Sequence, residues 1–313
     1  MKSVLLIVPY IGKWPFWFDA YLLSIAQNPT INWLFITDCK IPNSYPSNTK
    51  FVQTTKAEFK RKIETFFKTT IPLAPRKICD LRPAFGDLFS EYVKGYDFWG
   101  YCDLDIVWGD IRGFVTQDTL NNYDIISSRK NSTSGHFTIF KNNNEINSFY
   151  KSIPEYSEKL AMVKLQRMDE DGLTTFLWND LDTYSKPPFK IKWDTILCNQ
   201  ERGRDSHQEY YLDRWLWKDG KMLNTKTGEE VMYLHFINWK RTMKYSEINY
   251  KDQPKQFYIS YNGMHYKPHS GFIKSLNIFK NQFDGYQIRE YKRIKRKIYK
   301  SLVKRIKRKL NRI

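Results

Sequence analysis

Asp103 and Asp105 are the residues of this chain best suited to do chemistry. They sit in Tyr101-Cys102-Asp103-Leu104-Asp105-Ile106-Val107-Trp108-Gly109-Asp110-Ile111, at the end of an apolar run and just before a glycine. In an extended segment, residues i and i+2 point to the same side. The spacing therefore predicts two carboxylates aimed at one point. Such a D-x-D pair offers hard oxygen ligands, which suit Mg²⁺ or Mn²⁺ that is also held by substrate phosphates. Asp110 reads more simply as the cap of the turn at Ile111-Arg112.

The elements that must position this pair follow from pattern. Residues 3–9 form a short, continuous apolar run and predict a buried first strand. Pro15 opens a helix through Phe16 to Ala26 that stops near Asn28-Pro29, and Ile31 to Thr37 is a second strand closed by Asp38. Strand, helix and strand in so short a span predict a βαβ unit and a parallel sheet. Ala57–Lys68 and Pro83–Lys94 read as helices. Tyr96–Tyr101, Tyr123–Ser127, Ser134–Phe140, Lys190–Leu197 and Met232–Phe236 read as strands, with turns at Gly220 and Gly228. Asp169-Glu170-Asp171-Gly172 precedes a helical segment, Leu173–Leu181. Ligands of open α/β sheets bind beyond the carboxyl ends of the strands, where Asp38, Asp103 and Asp105 fall. Residues 241–288 give no clear assignment.

The 313 residues, 41% of them apolar, suffice for one large α/β domain or for a domain with an appendage. Cys39, Cys79, Cys102 and Cys198 show no C-x-x-C spacing and so predict neither a zinc knuckle nor a disulfide framework. A reducing cytosol suits them. No apolar run is long enough for a membrane span, and Ser3–Pro9 is too short for a signal peptide.

Charge is concentrated at the end. Residues 289–313 hold 13 Lys/Arg against one acid, Glu290, and so carry twelve of the eighteen net positive charges. Within them Tyr291, Ile294, Ile298, Leu302, Ile306, Leu310 and Ile313 recur at a mean spacing of about 3.7, close to the helical period. This predicts a basic amphipathic helix that lies on an anionic membrane surface. Nucleic-acid binding through phosphate neutralisation is the competing reading, opposed by the apolar stripe and by the lack of a nucleic-acid module. A solvated tail is the third.

Taken together, Lys77-Ile78-Cys79-Asp80-Leu81-Arg82-Pro83-Ala84-Phe85-Gly86, Tyr96 to Asp105, Gly109-Asp110-Ile111, Ser134-Gly135-His136-Phe137-Thr138 and Leu234-His235-Phe236-Ile237-Asn238-Trp239-Lys240 resemble a group of bacterial polysaccharide glycosyltransferases of GT-A fold. Many members of that group are known only as domains of unknown function. A more distant likeness runs to glycogenin-like and lipopolysaccharide galactosyltransferases. The resemblance covers roughly residues 1–240 and implies a catalytic domain there, with 241–288 as its extension and 289–313 as the basic helix. It implies an α/β, Rossmann-like mixed sheet flanked by helices.

It also implies a nucleotide-sugar donor (UDP-linked by preference), Mn²⁺ or Mg²⁺, and a saccharide hydroxyl as acceptor, on a lipid carrier at the inner face of the cell membrane. Asp103, Asp105 and His235 would hold the metal. Lys240 would lie near the diphosphate, and Pro9, Tyr10 and Asp38 would line the nucleoside pocket. Asp171 or Glu170, at a helix start, would take the acceptor proton in an inverting reaction, although acids favour helix starts for dipole reasons alone. Lys77 belongs to the same motif. Asp80 and Arg82 either face the donor or form an ion pair at the start of a helix. Gly135-His136 either leaves room for a sugar beside the backbone or meets a packing need. A sugar-phosphate nucleotidyltransferase is a rival, but Pro9-Tyr10-Ile11-Gly12-Lys13 is a poor Gly-rich loop. A non-catalytic basic binding protein is another.

Overall fold

The computed structural model describes residues 1–74, 76–130, 132–177, 189–192, 211–284 and 286–310. β1 (Val4–Tyr10) is apolar on both faces, and both faces are covered. Leu5 and Ile7 enter one core, whereas Val4, Leu6 and Val8 enter the other. α1 (Phe18–Ala26) packs Phe18, Tyr21, Leu22 and Ile25 onto the second of these. It returns the chain to β2 (Ile31–Thr37), parallel to β1, and β3 (Thr49–Gln53) extends the parallel edge. α2 (Lys56–Phe67) covers the opposite face with Phe59 and Ile63. It starts where Thr55 and Glu58 satisfy each other's backbone N–H groups in a capping box.

β4 (Phe98–Cys102) joins the free side of β1 in parallel. β5 (Ile106–Trp108) then leaves the sheet, and β6 (Ile125–Ser127), β7 (Phe137–Lys141) and β8 (Ile191–Lys192) complete it. The order is β3-β2-β1-β4-β7-β6-β8, with β7 antiparallel to both of its neighbours. This is a mixed α/β sheet flanked by helices, as expected. Two expectations change. The segment predicted as a helix over Pro83–Lys94 is a 3₁₀ stretch, Lys77–Ala84, followed by two short helical turns, Phe85–Leu88 and Ser90–Val93. The two turns are separated at Phe89, whose φ −118° and ψ 31° leave the helical region. The helix expected at Leu173–Leu181 and the strand expected at Lys190–Leu197 run partly outside the described residues.

β9 (Trp215–Lys218), β10 (Lys221–Asn224), β11 (Glu230–Val231), β13 (Tyr245–Ser246), β14 (Gln256–Ser260) and β15 (Gly263–His265) form a second sheet, and β12 (Tyr233–His235) pairs with β5 instead. Gly220 and Gly228 sit in its turns at φ 79° and 73°. Trp215, Trp217, Met222, Phe257 and Ile259 pack against Trp17, Ala20 and Leu23 of the first unit. β9, β10 and β11 precede residue 240 and β13, β14 and β15 follow it, so this sheet draws strands from both sides of that position. Beyond it come helices Gly271–Asp284 and Tyr286–Leu310. In the second helix Tyr291, Ile294, Ile298, Leu302 and Ile306 are 49–61% exposed. The Leu310 side chain and Ile313 lie outside the described residues. No described helix is long and apolar enough to cross a membrane. Cys39, Cys79 and Cys102 are free; Cys198 lies outside the described residues.

Candidate active site

The loop between β4 and β5 carries Asp103 and Asp105, and three backbone contacts hold it. Asp103 N–H donates to His136 O (3.2 Å), Trp17 Nε1–H to Leu104 O (2.8 Å) and Phe236 N–H to Asp105 O (3.0 Å). The chain bends at Leu104-Asp105 rather than running extended. The i, i+2 argument for an extended segment therefore does not apply here; the bend, not a strand, sets the two carboxylates near one point. β12 pairs antiparallel with β5 and sets His235 opposite Ile106, one residue beyond Asp105. His235 Nε2 lies 3.3 Å from Asp105 Oδ2 and 3.9 Å from Asp103 Oδ2. One ligand atom from each of the three residues falls within 4.8 Å of the others.

Two carboxylates and one imidazole make a largely hard donor set, which fits Mn²⁺ or Mg²⁺. Lys240 Nζ stands 2.8 Å from Asp105 Oδ2. Burial opposes ionisation of Asp105, yet the charges of His235 and Lys240 outweigh it and hold its carboxyl well below the ordinary range. Behind His235 stands His136. Its ring stacks on that of His235 with centroids 4.3 Å apart, and its Nδ1 is 2.6 Å from Tyr233 Oη.

Arg82 organises the other side. Its guanidinium donates to Asp103 Oδ1, to Gly135 O and, at 2.6 Å, to Asp169 Oδ2, and it lies over the Tyr101 ring. Asp169 is buried in a π-helical turn, Met168–Gly172, a distortion often found at functional sites. Burial pushes its carboxyl up to about 7, against the pull of Arg82. The sequence named the acidic run but not this member of it. Three neighbouring acids look alike until their burial is known.

The remaining expectations divide. Tyr10 ends β1, donates its hydroxyl to Lys13 O at 2.9 Å, and has its phenol raised first by burial and then by the charges of Cys39 and Asp105. Pro9 precedes it in β1. Asp38 accepts from Gly12 N–H at 2.7 Å and so closes the turn after β1. Tyr10, Trp14 and Phe18 stack in succession (5.3 and 4.1 Å between centroids) beside a groove of about 470 Å³ lined by Trp14, Phe16, Lys40 and Asn43.

Lys77 and Asp80 are corrected. They form a fully buried 2.9 Å pair, Lys77 also donates to Lys159 O, and Asp80 accepts from the N–H groups of Gln166 and Met168. They anchor the chain that leads to Asp169 and present nothing to a ligand. Gly135 makes room for protein rather than sugar, because a Cβ there would meet Asp169 Oδ2 at 2.8 Å. His136, expected beside a sugar, is the buried wall behind His235. Glu170 is clamped between Arg129 and Arg167. Burial works against its charge, but the two arginines outweigh this and lower its carboxyl below the ordinary value. Asp171 is 66% exposed and pairs with Arg167. Asp110 caps the turn as expected, accepting from Gly113 N–H at 3.0 Å.

These features define a mixed α/β protein with a two-carboxylate, one-histidine candidate metal site beyond the ends of its parallel strands. Over residues 6–268 the chain matches the family described as "Family of unknown function (DUF6625)", and it belongs to that family. A search of curated proteins finds no match. Among solved structures it is similar to the galactosyltransferase LgtC in complex with donor and acceptor sugar analogs, at 13% identity and TM-score 0.32, over 53% of this chain and 72% of that one. It is also similar to the glycosyltransferase GlyE of Streptococcus pneumoniae TIGR4, at 10% identity and TM-score 0.33, over 61% of this chain and 45% of that one. A third is mouse xyloside xylosyltransferase 1, at 10% identity and TM-score 0.30, over 62% and 78%. Likeness at this level carries no inference about the site, whose own geometry stands alone.

Proposed function

We propose that the protein is a metal-dependent glycosyltransferase of GT-A type. It moves a hexose, such as galactose, galactofuranose or glucose, from a nucleotide-diphosphate sugar to a hydroxyl of a growing, lipid-linked cell-surface polysaccharide. The observation that carries this reading is the convergence of Asp103, Asp105 and His235, with Lys240 against Asp105. When bound, Mn²⁺ or Mg²⁺ supplies Lewis acidity against the charge that builds on the leaving diphosphate.

Asp103, Asp105 and His235 hold that ion in this reading. Arg82 fixes the orientation of Asp103 through a bond to one oxygen, which leaves the other to face His235. Lys240 supplies a fixed cation at the diphosphate. Charges preorganised in this way are typically worth on the order of 3–4 kcal/mol each in the transition state. Tyr10 and Trp14, both partly exposed, offer an aromatic surface for a nucleoside base. Asp171, with its solvent-facing carboxylate, is the better of the two acceptor-proton candidates. Glu170, held ionised by two arginines, is a weaker base. Proton removal by Asp171 goes with an inverting course. The basic helix Tyr286–Leu310 would keep the enzyme at the inner face of the membrane, beside a lipid-linked acceptor.

The test is release of nucleoside diphosphate from a panel of sugar nucleotides, with and without Mn²⁺. One donor should be turned over, and only with metal. Asp105→Ala should lower that rate by at least about a hundredfold. Turnover of no sugar nucleotide, or full activity in Asp105→Ala, would overturn the reading.

A further inference from the structure

A second cluster lies where the chain enters β9 and leaves β15, two strands of the second sheet. Asp213 precedes β9 with φ 54°, and its backbone is fixed on both sides: its N–H donates to Ser260 Oγ and its carbonyl accepts from Thr225 Oγ1, each at 2.7 Å. Its Oδ1 lies 2.8 Å from His265 Nε2 and 2.7 Å from His269 Nδ1, while Oδ2 accepts from His269 N–H at 2.9 Å. The two rings meet edge to face with centroids 4.3 Å apart. All three side chains are at most 13% exposed. One ligand atom from each lies within 4.8 Å of the others.

Two imidazole nitrogens and one carboxylate form a donor set of borderline softness, which favours Zn²⁺ and its first-row neighbours over Mg²⁺ or Ca²⁺. Zinc holds N and O donors at about 2.0–2.1 Å, which sets them roughly 3 Å or slightly more apart. The triad therefore opens only slightly to admit an ion. On the outer side of the triad, Asn262 Nδ2 lies 3.2 Å from His269 Nε2 and 3.5 Å from Asn277 Oδ1. A polar side chain therefore already stands at the outer nitrogen of that ring, the place where metal-bound histidines hold a partner.

We propose that Asp213, His265 and His269 form a second metal site, of the class that takes Zn²⁺, distinct from the Asp103–Asp105–His235 cluster. It would serve as a clasp. Asp213 leads into β9, His265 ends β15, and His269 lies two residues before Gly271, where the first C-terminal helix begins. An ion there ties the root of the two helices to the second sheet.

The test uses the full chain, stripped by a chelator and titrated with Zn²⁺. Asp105→Ala removes the other cluster from the count. In that variant one Zn²⁺ per chain should still bind and raise the Tm. Adding His269→Gln, which keeps a hydrogen bond to Asp213 but is a poor ligand, should remove both the bound ion and the Tm rise. Co²⁺ should give the visible bands of a bound site in the first variant and lose them in the second. If His269→Gln does not fold, His265→Gln is read the same way. The proposal is overturned if Asp105→Ala takes up no Zn²⁺, or if its bound ion survives both glutamine variants. Turnover of sugar nucleotides plays no part in this readout, so either proposal can fail without the other.

Discussion

One guanidinium serves two carboxylates beside the candidate metal site, and the two do not share it equally. Asp103 keeps an oxygen free for a cation, whereas Asp169 is buried against Arg82 and Gly135. The Asp169 carboxyl is pushed by burial from its ordinary 3.8 up to about 7. Across that interval the folded chain holds a proton that the unfolded chain has lost. The associated stability is complete below about pH 4 and is lost as the pH rises through about 7. Asp169→Asn removes this dependence. The Tm of the variant relative to the parent should therefore climb over the same window, by the equivalent of about 2–4 kcal/mol. A difference that stays flat between those pH values would show that Asp169 is ionised throughout.

At the scale of elements, the ladder between β5 and β12 decides whether there is a site at all. It places His235 one residue beyond Asp105, although the two lie far apart in the chain. Its far end is seated by Gly109, whose N–H donates to Met232 O at 2.7 Å. A Cβ at Gly109 would meet Met222 N and Val231 O at 2.9 Å, both backbone atoms that cannot swing aside. Gly109→Ala should thus cost about 1–3 kcal/mol in denaturant unfolding, as overpacked sites do. It should also weaken metal binding at Asp105 and His235. Unaltered stability would mean that the second sheet is not held against β5 in this way. The ladder was hard to read from sequence: β5 is only three residues long and apolar on both faces, so its pattern names no partner.

At the scale of the whole molecule, the excess positive charge is concentrated in the last helix. The helix Tyr286–Leu310 leaves its apolar stripe exposed and carries most of the chain's excess Lys and Arg. Each basic residue near an anionic bilayer contributes about 1 kcal/mol of attraction, and salt screens it. Removing residues 286–313 should release the protein from anionic vesicles in a sedimentation assay. Turnover of donor with soluble acceptors should persist. The intact chain should detach progressively as salt is raised. A truncated chain that still pellets with the vesicles would place the anchor elsewhere.

The sequence by itself determined the parallel βαβ core, the pairing of Asp103 with Asp105 and the basic helix. Each is a local pattern: an apolar run, two acids one residue apart (brought together by a bend rather than by an extended strand), a period near 3.6. It also named His235 and Lys240, through motif resemblance rather than through any local rule. Only the tertiary structure decided which charges face a ligand and which face each other. Lys77 with Asp80 and Asp103 with Asp105 are both pairs of charged residues at close spacing in the motifs, yet one pair is sealed into an ion pair and the other meets at a prospective cation. Burial and partnership separate them, and both depend on segments far away in the chain. Asp213, His265 and His269 teach the same lesson, since their meeting exists only once β9 and β15 lie in one sheet.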